Sequence, residues 1–225
     1  MQLCAITNRR LFPNQSALLE CVSAWARGGV DYVQVREKDL APEELEALTC
    51  EIVGVVRKAA GRTRVLLNGP AEAALKCGCD GVHLPSGLPS NAIQHARKIW
   101  AKSAAAPIIS VSCHTIAEIE HARRHAATLA LFAPVFEKKA EEGVLSGQGL
   151  AALSQACRIA SPMPVFALGG VTTQNASECI HAGAAGIAAI RLFASGEWRE
   201  LNRYTERRPI PPQKEAGHAD HPARS

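Results

Sequence analysis

Apolar residues are not spread evenly along this chain. They come in short runs bounded by glycine, proline or charge, and longer stretches with helical spacing lie between the runs. Runs this short are too brief for buried helices and read as strands, whereas i, i+3, i+4 spacing reads as amphipathic helix. Strands are expected at residues 3–7, 31–36, 64–68, 81–84, 108–112, 129–132, 165–168 and 186–190. Helices are expected at 16–27, from 42 toward 60, at 71–76, from a Ser90 cap to 101, and at 115–125, 150–159, 175–181 and 197–203. Pro42 followed by Glu43 and Glu44 suits a first helical turn, where proline loses no needed donor and acids meet the positive end of the dipole. Between residues 132 and 150 the pattern predicts only a polar loop.

The stretch 164–192 organises the rest. Val165 to Leu168 is stopped by Gly169-Gly170, Asn175 can cap the following helix, Gly183 can end it, and a second apolar run begins at Gly186. Strand, helix and strand with connections this short make a parallel βαβ unit. Eight such strand–helix pairs fill the chain, and the fold class expected is α/β, a single (β/α)8 barrel. An open doubly wound sheet would usually carry its glycine-rich loop after the first strand, and here the glycines follow the seventh. In a barrel, the loops after strands seven and eight often bind phosphate. Glycines at a strand end let backbone N–H groups approach an anion closely, so Gly169 and Gly170 are phosphate-binding candidates. The alternative is that they serve tight packing alone.

Composition narrows the class. With 225 residues, 47% of them hydrophobic, the chain can bury a sizeable core, and the length suits one barrel over 1–204 with a disordered tail at 205–225. No stretch approaches the roughly 18 uncharged apolar residues of a membrane span. The N-terminus shows no signal-peptide pattern, so a cytoplasmic protein is expected, and the eight cysteines are expected to be reduced. The net charge is +4, and half of it lies after Asn202. With few aromatics and no basic stripe, nucleic acid and membrane are excluded as partners. An anionic small molecule fits, and a homo-oligomer is left open.

Catalytic groups in a barrel sit at the C-terminal ends of strands. After strand two comes Gln34-Val35-Arg36-Glu37-Lys38-Asp39, where alternation puts Gln34 and Arg36 on one face. A polar residue pointing into a closed barrel needs a polar partner. Asn68 closes strand three, Asp80 begins strand four with His83 on it, and Ser110, Ser112 and His114 share a face at the end of strand five.

These residues carry a resemblance. The chain resembles the thiamine phosphate synthase / thiazole tautomerase (TenI-type) superfamily over about residues 2–195, through Val33-Gln34-Val35-Arg36-Glu37-Lys38, Asp80-Gly81-Val82-His83-Leu84, Val111-Ser112-Cys113-His114-Thr115 and Leu168-Gly169-Gly170-Val171. The resemblance implies a thiazole phosphate with its phosphate at Gly169 and Gly170, and a second reactant, a pyrimidine, near Gln34 and Lys38. Substrate binding is assigned to Gln34, Arg36, Asn68, Ser112, Lys138 and Lys139, and phosphate binding also to Arg191. The acid/base candidates are Lys38, His114 and Glu137.

Two branches of that superfamily remain. Synthases join a pyrimidine diphosphate to the thiazole phosphate with Mg²⁺, held by an Asp after strand three and a second Asp. Here Gly69 stands in the first place and only Asp80 remains as a metal ligand; no threonine lies between Thr128 and Thr172, and Arg191 replaces a serine. Tautomerases need only a proton-moving group, but Pro134 occupies the position of their histidine. The tautomerase branch, which needs no cofactor, is the first expectation. The synthase, with Mg²⁺, is the alternative, and a non-catalytic regulator of the same ligand is a further one.

Overall fold

The computed structural model describes residues 1–59, 61–87, 89, 91–140 and 143–204; at 138–140, 144 and 202–204 it describes the backbone alone. The strands are β1 Gln2–Ile6, β2 Tyr32–Val35, β3 Arg64–Leu67, β4 Gly81–Leu84, β5 Ile108–Cys113, β6 Leu129–Phe132, β7 Lys138–Ala140, β8 Gly143–Leu145, β9 Val165–Leu168 and β10 Gly186–Ala189. The helices are α1 Gln15–Arg27, α2 Pro42–Lys58, α3 Ala71–Lys76, α4 Ala92–Ile99, α5 Ile116–Arg124, α6 Gly149–Ala160, α7 Ala176–His181 and α8 Arg191–Ala194. Eight strands close into a parallel barrel in the order β1-β10-β9-β6-β5-β4-β3-β2, and β7 and β8 form a separate antiparallel hairpin.

Strand alternation sorts the side chains into two cores. Outward residues such as Val33, Val35, Val65, Val82, Ile109 and Phe132 are fully buried beneath the helices. Inward residues Cys4, Ile6, Leu129, Leu131, Phe166 and Ala188 fill one side of the lumen. Other inward positions, on β2, β4 and β5, hold Gln34, His83 and Ser110, each no more than 2% exposed, with Leu66 of β3 beside Gln34. The lumen therefore has an apolar half and a polar half.

Three expectations change. The polar loop after β6 contains the β7–β8 hairpin, because Gln148 N donates to Pro134 O (2.9 Å) and Gly149 N to Val135 O (2.9 Å), drawing the ends of the loop together. The helix expected at 197–203 is a 3₁₀ segment, Glu197–Tyr204, with Trp198 stacked on Phe193 at 6.0 Å between ring centroids. The cysteines are not all reduced: Cys50 and Cys77 form a disulfide. Neighbouring α2 and α3 bring those two residues to a Cα separation of 4.7 Å, within the usual range for a bridge. The expected Ser90 cap and the tail at 205–225 lie outside the described residues. Among the described residues no helix is long and apolar enough to cross a membrane.

Candidate functional site

At the C-terminal mouth, β1 and β2 are tied together by one network. Thr7 Oγ1 accepts from Arg36 N (3.0 Å) and donates to Glu37 Oε1 (2.7 Å), and Glu37 accepts from Arg9 N with both oxygens (3.0 Å). Glu37 is 4% exposed, so its carboxylate staples the two loops rather than facing solvent. Asp39 is exposed and binds Arg9 (2.8 Å) and Arg10 (2.9 Å). The hydrogen bond from Arg9, with the Arg10 charge, holds its carboxyl below the usual carboxylate range. Lys38 is exposed and Arg36 half-buried. Nothing in the sequence reading singled out Thr7 or Arg9; a threonine at a strand's C-terminal end was the available signal.

Gln34 points into the lumen at 2% exposure, and its Nε2 has no hydrogen-bond partner among the described residues. Two strands away, His83 stands between two hydroxyls. Its Nδ1 is 2.9 Å from Ser110 Oγ and its Nε2 is 2.8 Å from Ser112 Oγ. The β4–β5 register makes this contact, since His83 pairs with Ser110 and Ser112, two residues on, faces the same way. Burial, reinforced by the Arg36 charge, pushes the His83 pKa down to about 3. The ring is neutral at ordinary pH. Ser112 also borders a cavity of about 120 Å³ with Leu84, Ser86, Val111 and His121.

His114 is exposed and lies 2.7 Å, through Nδ1, from Ala133 O. A carbonyl only accepts, so Nδ1 carries the proton and Nε2 is left as the basic nitrogen. Gln148 Nε2 donates to the same carbonyl (2.8 Å). Asn68 is half-buried at the end of β3, its N–H bonded to Val35 O (2.9 Å). Glu137 is exposed on the hairpin approach, and Arg191 is exposed at the start of α8. Lys138 and Lys139 lie on β7, and their side chains are outside what is described.

Gly169 and Gly170 have φ of +93° and +67°. A Cβ on Gly169 would come within 2.7 Å of Pro134 Cα, and one on Gly170 within 2.5 Å of Glu137 O. Val135 N donates to Leu168 O (2.9 Å) and Phe136 N to Gly169 O (3.0 Å). The paired glycines thus let the strand-six loop lie directly on the end of β9. Packing accounts for them whether or not an anion also binds there.

Asp80 is not brought to this mouth. It precedes β4, at the N-terminal end of the barrel, and binds Arg57 (2.8 Å), Arg64 (3.1 Å) and Val65 N (2.7 Å). Parallel strands all point one way, so a residue before a strand and one after its neighbour lie at opposite mouths. Its oxygens are taken by those three donors, which leaves it unfit as the metal ligand expected from the sequence. Among the described residues no group of three or more His, Cys, Asp or Glu could hold a metal ion. At the mouth, Gly69 offers no carboxylate. Neither of the two expected positions, Gly69 and Asp80, therefore supplies a Mg²⁺ ligand at this mouth. A cavity of about 350 Å³ opens around Asp80, Arg57, Arg64 and Trp100, away from all of this chemistry.

Eight parallel strands with a polar half-lumen and candidate site residues gathered at the C-terminal mouth define the class: a (β/α)8 barrel. The family follows from comparison with known proteins. The thiamine monophosphate synthase family model matches residues 3–193, and the chain belongs to this family of enzymes. It is 31% identical over 195 residues to the thiamine-phosphate synthase of Chlorobium luteolum, covering 87% of this chain and 86% of that one. To the thiamine-phosphate synthase of Roseiflexus castenholzii it is 32% identical over 186 residues, 82% and 77% of the two chains. The solved thiamine phosphate pyrophosphorylase of Pyrococcus furiosus superposes with a TM-score of 0.73 at 26% identity, covering 90% of this chain and 94% of that one.

Proposed function

We propose that this chain is a thiamine phosphate synthase, joining a hydroxymethylpyrimidine diphosphate to a thiazole phosphate. The relatives favour this alternative over the tautomerase expected first from the sequence. The observation that carries it is the buried Nε2 of Gln34, without a partner among the described residues. An unmet buried donor costs about 1–3 kcal/mol, a cost removed when a ligand supplies an acceptor. A pyrimidine ring nitrogen is such an acceptor, flat enough to lie against the apolar half of the lumen.

In the reaction the thiazole nitrogen attacks the pyrimidine's exocyclic methylene carbon. The carbon–oxygen bond breaks as the new carbon–nitrogen bond forms, and diphosphate leaves with the electron pair. Developing negative charge on the leaving group is stabilised by cations fixed beforehand. Arg36, Lys38 and Arg191 supply them from the mouth. Gly169 and Gly170 receive the thiazole phosphate. No step is routed through a metal ion, because neither Gly69 nor Asp80 supplies a ligand at this mouth.

Incubation of the purified chain with both substrates, with and without Mg²⁺, tests the reading by mass spectrometry of the product. Thiamine phosphate formation is expected; its absence under both conditions overturns the proposal. A second reading, thiazole tautomerase, rests on the basic Nε2 left on His114 by its Nδ1–H bond to Ala133 O. Isomerisation of carboxythiazole phosphate alone, lost in His114→Gln, would favour it.

A further inference from the structure

The chain Ser110–His83–Ser112 contains more hydrogen-bonding sites than a neutral ring can serve in two ways equally well. A neutral imidazole carries one N–H, so one nitrogen donates and the other accepts. If Nδ1 carried the proton, it would donate to Ser110 Oγ, and the Ser110 hydroxyl proton would need another acceptor. Ser110 is 1% exposed, and among the described residues its hydroxyl has no partner other than His83. That arrangement strands a buried donor. In the other, Ser110 donates to Nδ1, Nε2–H donates to Ser112 Oγ, and every proton in the chain but one is placed. The one left over is the hydroxyl proton of Ser112, on the lumen face of β5 near its C-terminal end.

We propose that Ser110 fixes His83 as its Nε2–H tautomer, so that Ser112 presents its hydroxyl proton to the site as a hydrogen-bond donor for an oxyanion. His83 and Ser110 are positioning residues, and Ser112 is the group that touches the ligand. The cost of an unmet buried donor exceeds that of an unused hydroxyl lone pair, which is why the direction is set before any ligand arrives. A donor aimed in advance discriminates in favour of phosphate or diphosphate oxygen and against a ligand N–H at the same place. The Arg36 charge, which acts on the same ring, reinforces preference for an anion. Only the identity of that anion as diphosphate rests on the synthase reading; the tautomer does not.

Nitrogen-15 labelling of histidine, with long-range proton–nitrogen correlation spectra, reads the tautomer directly. His83→Gln assigns the His83 signals by their disappearance. The Nε2–H pattern is expected in the full-length protein, and an Nδ1–H or doubly protonated pattern at neutral pH overturns the proposal. Calorimetry with inorganic diphosphate as probe tests the consequence. Ser112→Ala should weaken binding about tenfold, the scale of one hydrogen bond to a charged group. His83→Leu should weaken it several-fold, and His83→Gln, whose amide can still donate to Ser112, should restore it. Unchanged affinity in both Ser112→Ala and His83→Leu overturns the donor role. An Nε2–H tautomer in a protein that forms no thiamine phosphate would overturn the synthase reading and leave this one standing.

Discussion

At Gln34 a leucine would fill much the same volume without leaving an amide hydrogen unbonded. Gln34→Leu should therefore keep or raise the melting temperature while lowering product formation at least tenfold, because replacing an unmet polar group by an apolar one is close to neutral for folding. Loss of both stability and activity would show that the amide has a partner inside the protein. His83 makes a pH prediction. Its folded pKa of about 3 lies below the roughly 6.5 of an unfolded histidine. Between those values the unfolded chain binds a proton that the folded one does not, so stability is fully present above about 6.5 and falls as pH drops toward 3. The slope from this group alone approaches about 1.4 kcal/mol per pH unit, and urea titrations from pH 7 to 4 should show that component removed in His83→Gln. Asp80 is the contrasting case. Asp80→Asn should cost about 2 kcal/mol through its charged hydrogen bonds yet leave turnover per folded molecule, and any Mg²⁺ response, unchanged. A change in Mg²⁺ response would return Asp80 to the site.

The elements that matter most are the loops after β6 and β9, which bear on each other through two glycines. Gly170→Ala combines a φ of +67° with a contact of 2.5 Å to Glu137 O. It should destabilise the protein by about 1–3 kcal/mol and expose the 133–149 loop to limited proteolysis. A variant as stable and protease-resistant as the wild type would show that the loop can move aside. Sequence punctuation located this turn correctly, but it could not say what the glycines make room for. The same limit applies at Asn175. It stands at the N-cap expected for it, yet its side chain accepts from Thr172 N and donates to Gly170 O rather than capping the helix N-terminus. The β7–β8 hairpin escaped the pattern because Val144 and Leu145, its only adjacent apolar pair, are embedded among charges.

On the scale of the molecule, the outer shell of helices is joined by one bridge and closed by one aromatic cluster. Reducing Cys50–Cys77 should lower stability by on the order of 3 kcal/mol, the entropy regained by opening a loop of this size in the unfolded chain. Thiol titration of the denatured protein should count eight after reduction and six before it. Eight without reductant would mean the bridge does not form. Trp25, Phe193 and Trp198 pack edge-on and stacked with centroids 6.0 Å apart, joining the last helical segment to α1.

The repeated strand–helix pattern determined the barrel by itself. Alternation along a strand and periodicity along a helix are local properties, and eight such pairs of this length have one compact way to close. The same local logic placed Gln34, Ser112, His114 and Gly169 at one mouth and separated Val33 and Val35 from the lumen. What only the tertiary structure decided depends on register between strands and on which distant groups meet. Register set His83 against Ser110 and Ser112, and β1–β2 pairing made Glu37 a buried staple instead of a solvated charge. Asp80 comes just before its strand, where the other candidates come at the end of theirs, so parallel strand direction alone puts it at the opposite mouth from the metal expected of it. Hydrogen bonds are satisfied or left open by neighbours distant in the chain, and the open one at Gln34 became visible only when the barrel closed around it.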